Sequence, residues 1–135
     1  MASDNMLVMS VHLDPQPGGI KPELHLKQGT KSMRVRLLVN PGGVLSDYIY
    51  KPCFVRATLP DGADFFTTSS CNFENRRISI TLYSNPVNRM AAVPGRYKCT
   101  LTIVNTEDRV TRDNCMDYGF MTVLPFTVVV HERAV

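Results

Sequence analysis

The sequence has no tryptophan, and aromatic residues make up only 8% of its 135 positions. A groove that tracks nucleic acid stacks bases on aromatic rings between clustered cations. Here the basic side chains instead alternate with apolar ones, as in Arg34-Val35-Arg36-Leu37, the pattern of the wet face of a sheet. Nucleic acid is therefore not an expected partner. No apolar run approaches the roughly 18 residues of a membrane span. The opening MASDNMLVMS also lacks the basic start and long apolar stretch of a signal peptide. The expectation is a soluble chain that folds where it is made, with no membrane partner.

Chemical motifs are equally scarce. Cys53, Cys71, Cys99 and Cys115 form no CxxC pair, which argues against a zinc knuckle or a thioredoxin-type site. Without an export signal, reduced thiols are expected. Cys53 and Cys99 fall on expected strands, where a thiol packs as a small hydrophobe. Cys115 lies in a polar loop and is expected to be the thiol most open to reagents. His12, His25 and His131 show no HxH or HExxH spacing, so each reads as a strand-surface or edge residue and no metal site is assigned. No GxSxG elbow occurs. The glycine-rich Pro17-Gly18-Gly19 and Pro41-Gly42-Gly43 do not lead into a helix, so neither makes a phosphate cradle. Any acid/base pair of carboxylates would have to be chosen arbitrarily. No catalytic residue, cofactor or metal is assigned, and the expectation is a protein that is not an enzyme.

What is present is the composition of one ordinary domain, 44% apolar and 20% charged. A chain of this size can bury roughly two-thirds of the surface its unfolded form exposes, enough for a core without staples. The formal charge of +3 is uneven: residues 1–20 carry Asp4 and Asp14 and no Lys or Arg, so the remainder is mildly basic.

Strict alternation marks the strands. Residues 23–27 alternate and end at Gln28-Gly29, and 32–39 place Met33, Val35, Leu37 and Val39 on one face. Residues 54–59 put Val55, Ala57 and Leu59 together and stop at Pro60-Asp61-Gly62, a turn signature, so 54–68 reads as a hairpin. Residues 76–83 point Ile78, Ile80 and Leu82 inward, and 96–104 do the same with Tyr97, Cys99, Leu101 and Ile103. Residues 121–131 close the series. Pro125 inside that segment requires an edge or a bend, because it cannot donate to a ladder. Only 85–93 offers a helical turn or so, before Pro94-Gly95. Short strands with turn signals every eight to twelve residues predict an all-β, immunoglobulin-like antiparallel β-sandwich over residues 20–135. Residues 1–19, ending in Pro15-Gln16-Pro17-Gly18-Gly19, read as an extended N-terminal arm or a donated strand.

Recognition by surface remains. Met6, Leu7, Val8 and Met9 are consecutive apolar residues ahead of that breaker. They suit either a first strand of the domain's own sheet or a strand lent to a neighbour, where main-chain hydrogen bonds supply affinity. The fifteen-residue connection 105–119 is long for a compact domain. It reads as a solvated connection or as a contact loop presenting Arg109 and Arg112. Tyr48 and Tyr50, beside Asp47, are candidates to stack a sugar or to pack a loop onto the core.

The order of these pieces resembles the N-terminal immunoglobulin-like domain of phage baseplate upper proteins and related virion-attachment domains. They run from Leu24-His25-Leu26-Lys27-Gln28-Gly29 through 33–39 to Leu59-Pro60-Asp61-Gly62. They continue with Arg77 to Leu82, then Pro94-Gly95-Arg96-Tyr97, and end at Phe126 to Val130. The resemblance implies a non-enzymatic structural protein of a tailed-phage virion, made in the host cytoplasm. It would be an attachment or adaptor domain docking on tail, baseplate or capsid, as an accessory or head-fibre base. It would form a homo-oligomer in the particle, with other phage structural proteins as partners. The alternative from another class is a carbohydrate- or host-surface-binding module.

Overall fold

The computed structural model describes the backbone of residues 7–12 and, with side chains, residues 22–40, 44–74 and 76–133. Met6, the side chains of Leu7, Val8 and Met9, and the breakers at 14–19 and 41–43 lie outside the described residues. Among the described residues nine strands form two sheets. One has the order β1 (Leu7–His12), β3 (Met33–Val39), β7 (Arg77–Leu82), β6 (Asn72–Glu74). The other runs β2 (Glu23–Lys27), β9 (Phe120–His131), β8 (Gly95–Val104), β4 (Pro52–Thr58), β5 (Asp64–Ser70). The expected all-β sandwich is the fold.

The inward rows meet between the sheets. Val35, Leu37 and Val39 of β3, Ile78, Ile80 and Leu82 of β7, and Cys99, Leu101 and Ile103 of β8 are buried, as period-2 patterning requires. Each of the aliphatic side chains among them contributes about 1.5–3 kcal/mol on removal from water. The turn at Pro60-Asp61-Gly62 closes the β4–β5 hairpin, with the Ala63 N–H donating to Asp61 Oδ1 at 3.0 Å and Gly62 at φ +90°. Two features escaped the sequence reading: β6, and a short 3₁₀ turn at Leu45–Asp47. The chain changes sheet between β5 and β6 at the buried Cys71, where Ser69 Oγ donates across to the Thr81 carbonyl at 3.0 Å.

The antiparallel frame has two exceptions. β1 joins β3 in parallel, from Leu7 opposite Met33 to His12 opposite Leu38, and β2 joins β9 in parallel. A parallel pair needs a long connection, and both N-terminal strands are separated from their partners by one. Pro125 is accommodated by an edge. It lies opposite Thr100 of β8, whereas β2 pairs with β9 only from Thr127 onward, so that side of β9 has no ladder at Pro125.

Helix α1 (Ser84–Met90) lies where the sequence predicts a helical turn and packs Val87 and Met90 into the core. Tyr97 Oη donates to the Met90 carbonyl at 2.8 Å, satisfying an end-of-helix acceptor that would otherwise be left unpaired. Asn88 Nδ2 donates to the Thr30 carbonyl at 2.9 Å, and Gly29 N–H donates to the Ala91 carbonyl at 2.9 Å, which seats α1 on the β2–β3 turn.

Candidate docking face

The outer face of the five-stranded sheet carries more apolar residues than a solvated face needs. Phe54 of β4 points away from Val55 and Ala57, yet it is 5% exposed. Its ring stacks on Phe66 of β5 at 5.3 Å and meets Phe120 of β9 edge-on at 6.1 Å. The connection 105–119 explains the burial. It folds back over this face, and its Val110 and Cys115 form a second small core with Phe54 and Val104, flanked by Phe66 and Tyr118.

Local hydrogen bonds hold the connection in place. The Asn105 N–H donates to the Gly119 carbonyl at 2.8 Å and closes the base. Asn114 Oδ1 accepts from the Thr111 N–H at 2.7 Å, and its Nδ2 donates to the Arg109 carbonyl at 3.0 Å. Tyr118 Oη donates to Asp108 Oδ2 at 3.2 Å. Burial and the neighbouring charge of Asp108 raise the Tyr118 hydroxyl above its ordinary range. Lys51 Nζ anchors the first part of the connection to Glu107 at 2.6 Å.

This arrangement revises two expectations. Cys115 is not the open thiol: it is fully buried, with its Sγ donating to the Arg112 carbonyl at 3.5 Å. A loop polar in sequence buries a thiol once its few apolar members turn down onto a sheet. Nor is the loop merely a solvated connection. Arg112 lies over the Phe66 ring at 5.5 Å and pairs with Asp64 of β5 at 2.6 Å, so its head group fastens the loop to its own domain. Arg109 is exposed at the loop surface, beside Thr67, Thr68 and Val110.

Beside the end of the loop, the same face is open. Met116, Phe120 and Val123 are 68%, 42% and 49% exposed, and with Phe54, Arg56, Lys98 and Thr100 they line a shallow depression of about 410 Å³. Its lining contains no carboxylate. Arg56 Nε lies 3.5 Å from Asp64, which Arg112 shares, while Lys98 has no ion-pair partner among the described residues. The patch is therefore apolar with a cationic border. Its signal in the sequence was an apolar residue on the nominally wet side of several strands: Phe54, Phe66, Val104 and Val123.

The tyrosines separate. Tyr48 is half-buried against the core with its hydroxyl 3.3 Å from Thr122 Oγ1, the packing role. Tyr50 is 75% exposed at φ +65°, a conformation uncommon for an aromatic residue, held by its N–H donating to the Cys71 carbonyl at 2.7 Å. The segment containing Leu7, Val8 and Met9 forms β1, whose backbone pairs with β3 at the edge of the four-stranded sheet.

Among the described residues no helix is long and apolar enough to cross a membrane. No protein-family model matches the sequence, and no curated protein matches it. Among solved structures the chain is similar to the N-terminal domain of phage TP901-1 ORF48, with a TM-score of 0.60 and 9% identity. That similarity covers 93% of this chain and 99% of that one, so it extends over a whole domain. At this identity the likeness is one of fold.

Proposed function

We propose that the chain is a non-enzymatic structural domain of a tailed-phage particle that attaches to another particle protein, on the tail, baseplate or capsid. The observation that carries this reading is the end-to-end fold similarity to a phage protein domain. The outer face of the five-stranded sheet is the proposed docking surface. Its open half joins Met116, Phe120 and Val123 to Lys98 and Arg56 without a carboxylate. It suits a partner segment bearing apolar and acidic side chains. A second copy applied to the same face through a two-fold axis would set Lys98 and Arg56 against their own likenesses, which is unfavourable.

Assembly around a symmetric platform would use the N-terminal arm instead. Because β1 pairs with β3 through a backbone ladder at the sheet edge, the same ladder forms if β1 comes from a neighbouring copy. Linked weak contacts then raise the effective concentration at each docking face.

The test is incorporation into particles. Phe120→Asp and Lys98→Glu chains are expected to fold but to be missing from purified particles of the phage that encodes them, by immunoblot. Normal incorporation of both would exclude this face. A chain beginning at Ile20, compared with the full chain by mass in solution, reads the arm separately. An oligomer that falls to folded monomers supports strand exchange, and the same number of subunits with and without residues 1–19 refutes it.

A further inference from the structure

Two of the three histidines, 106 residues apart in sequence, meet at the β2 edge. His25 Nδ1 and His131 Nε2 are 2.8 Å apart, with ring planes 15° from parallel and centroids at 5.1 Å. That centroid spacing is what two imidazoles need when they lie edge to edge through one hydrogen bond. On the other side of the His25 ring, Nε2 lies 3.0 Å from Glu23 Oε1. Arg96 pairs with the same carboxylate. A carboxylate held by a guanidinium offers its other oxygen as an acceptor to the imidazole. Glu23 therefore takes the Nε2–H of His25, which leaves Nδ1 with its lone pair aimed at His131.

We propose that His25 and His131 form a binding site for a divalent transition-metal ion of imidazole preference, zinc being the test case. The ion replaces the hydrogen bond between the rings. His25 is already in the coordinating tautomer, and neutral His131 needs only to move its hydrogen from Nε2 to Nδ1, so no proton is lost overall. Zinc–nitrogen bonds of about 2.0–2.1 Å in tetrahedral geometry put the two nitrogens roughly 3.4 Å apart. The two nitrogens must part by about half an ångström, and each ring must tilt by roughly 35° to aim its lone pair at an ion lying off the line between them, through rotation of both exposed histidine side chains. Glu23 then stands as the carboxylate behind a coordinating histidine, the arrangement that fixes ring orientation and strengthens the ligand.

Among the described residues no group of three or more His, Cys, Asp and Glu side chains is placed to hold a metal. The ion would keep two positions for water. The site borders a depression of about 370 Å³ lined by His25, Lys27, Thr30, Met33 and His131, which leaves room for them. The histidines sit on neighbouring strands of one sheet, so a bound ion would clamp the edge strand β2 to β9.

Isothermal titration of the untagged full chain with zinc chloride and with magnesium chloride tests this. One zinc per chain and no magnesium are expected, along with a melting temperature that rises with zinc. Both histidines are exposed, so His25→Ala and His131→Ala should fold, and each should abolish zinc binding, while His12→Ala should retain it. Glu23→Gln should weaken binding by about 10- to 100-fold. With copper(II), the electron paramagnetic resonance spectrum should show two imidazole nitrogens. Absence of zinc binding, or binding that survives both alanine variants, would overturn the site.

Discussion

Pro60 of the β4–β5 turn packs directly on Gly95, the first residue of β8. A Cβ on Gly95 would lie 3.0 Å from Pro60 Cγ and 3.1 Å from Pro60 Cβ. Gly95 also has φ +146°, a conformation that side chains resist. The Pro-Asp-Gly turn and the Gly-x-Tyr step, 35 positions apart, are thus one packing unit. Gly95→Ala must shift the hairpin and strain the backbone, and it is expected to cost about 1–3 kcal/mol. Thermal or urea unfolding of the variant measures it, and a cost near zero would mean that the hairpin moves freely.

Tyr97, two residues on, ties β8 to the end of α1 through its hydroxyl. Burial pushes that hydroxyl's pKa well above its ordinary range, so it remains a donor throughout the working pH range. Tyr97→Phe keeps the packing but leaves the Met90 carbonyl without its donor. A loss of about 1–3 kcal/mol is expected. Amide exchange in residues 84–91 should accelerate more than exchange in β3.

All four thiols are buried and none is in a disulfide. Contact with Cys71, added to burial, raises the Cys53 thiol well above its ordinary range, and burial pushes Cys99 up to about 12. Since the thiolate is the reactive form, native protein should react slowly with Ellman's reagent and release four equivalents in guanidinium. Cys115 reports on the 105–119 connection. Fast labelling of Cys115 alone would show that the connection lifts from Phe54 without unfolding of the sandwich.

Glu23 sets an acid dependence. Its pKa is lower in the folded chain, because of Arg96 and then His25, so the folded state binds fewer protons than the unfolded state in the acid range. The resulting stability is fully present above the unfolded value near 4.5 and is lost as pH falls through the lowered one. In melting curves against pH, the gap between wild type and Glu23→Gln should narrow below about pH 4.5. A gap that stays constant there would mean that the pair adds nothing.

The strands and their inward rows are local properties, legible in the residue pattern. Alternation at 33–39, 77–82 and 96–104 places side chains on one face whatever the rest of the chain does, and Pro60-Asp61-Gly62 prescribes a turn through its own backbone preferences. Pairing between distant segments has no such signature. The parallel joining of β1 to β3 and of β2 to β9 depends on which sheet edges remain free once the interior strands have paired. The burial of Cys115 depends on a polar connection finding Phe54 beneath it. The contact of His25 with His131 depends on β2 settling beside the last strand. Period and turn chemistry act over a few residues, whereas these contacts are chosen by closure of the whole chain. The candidate sites were therefore decided only by the tertiary structure.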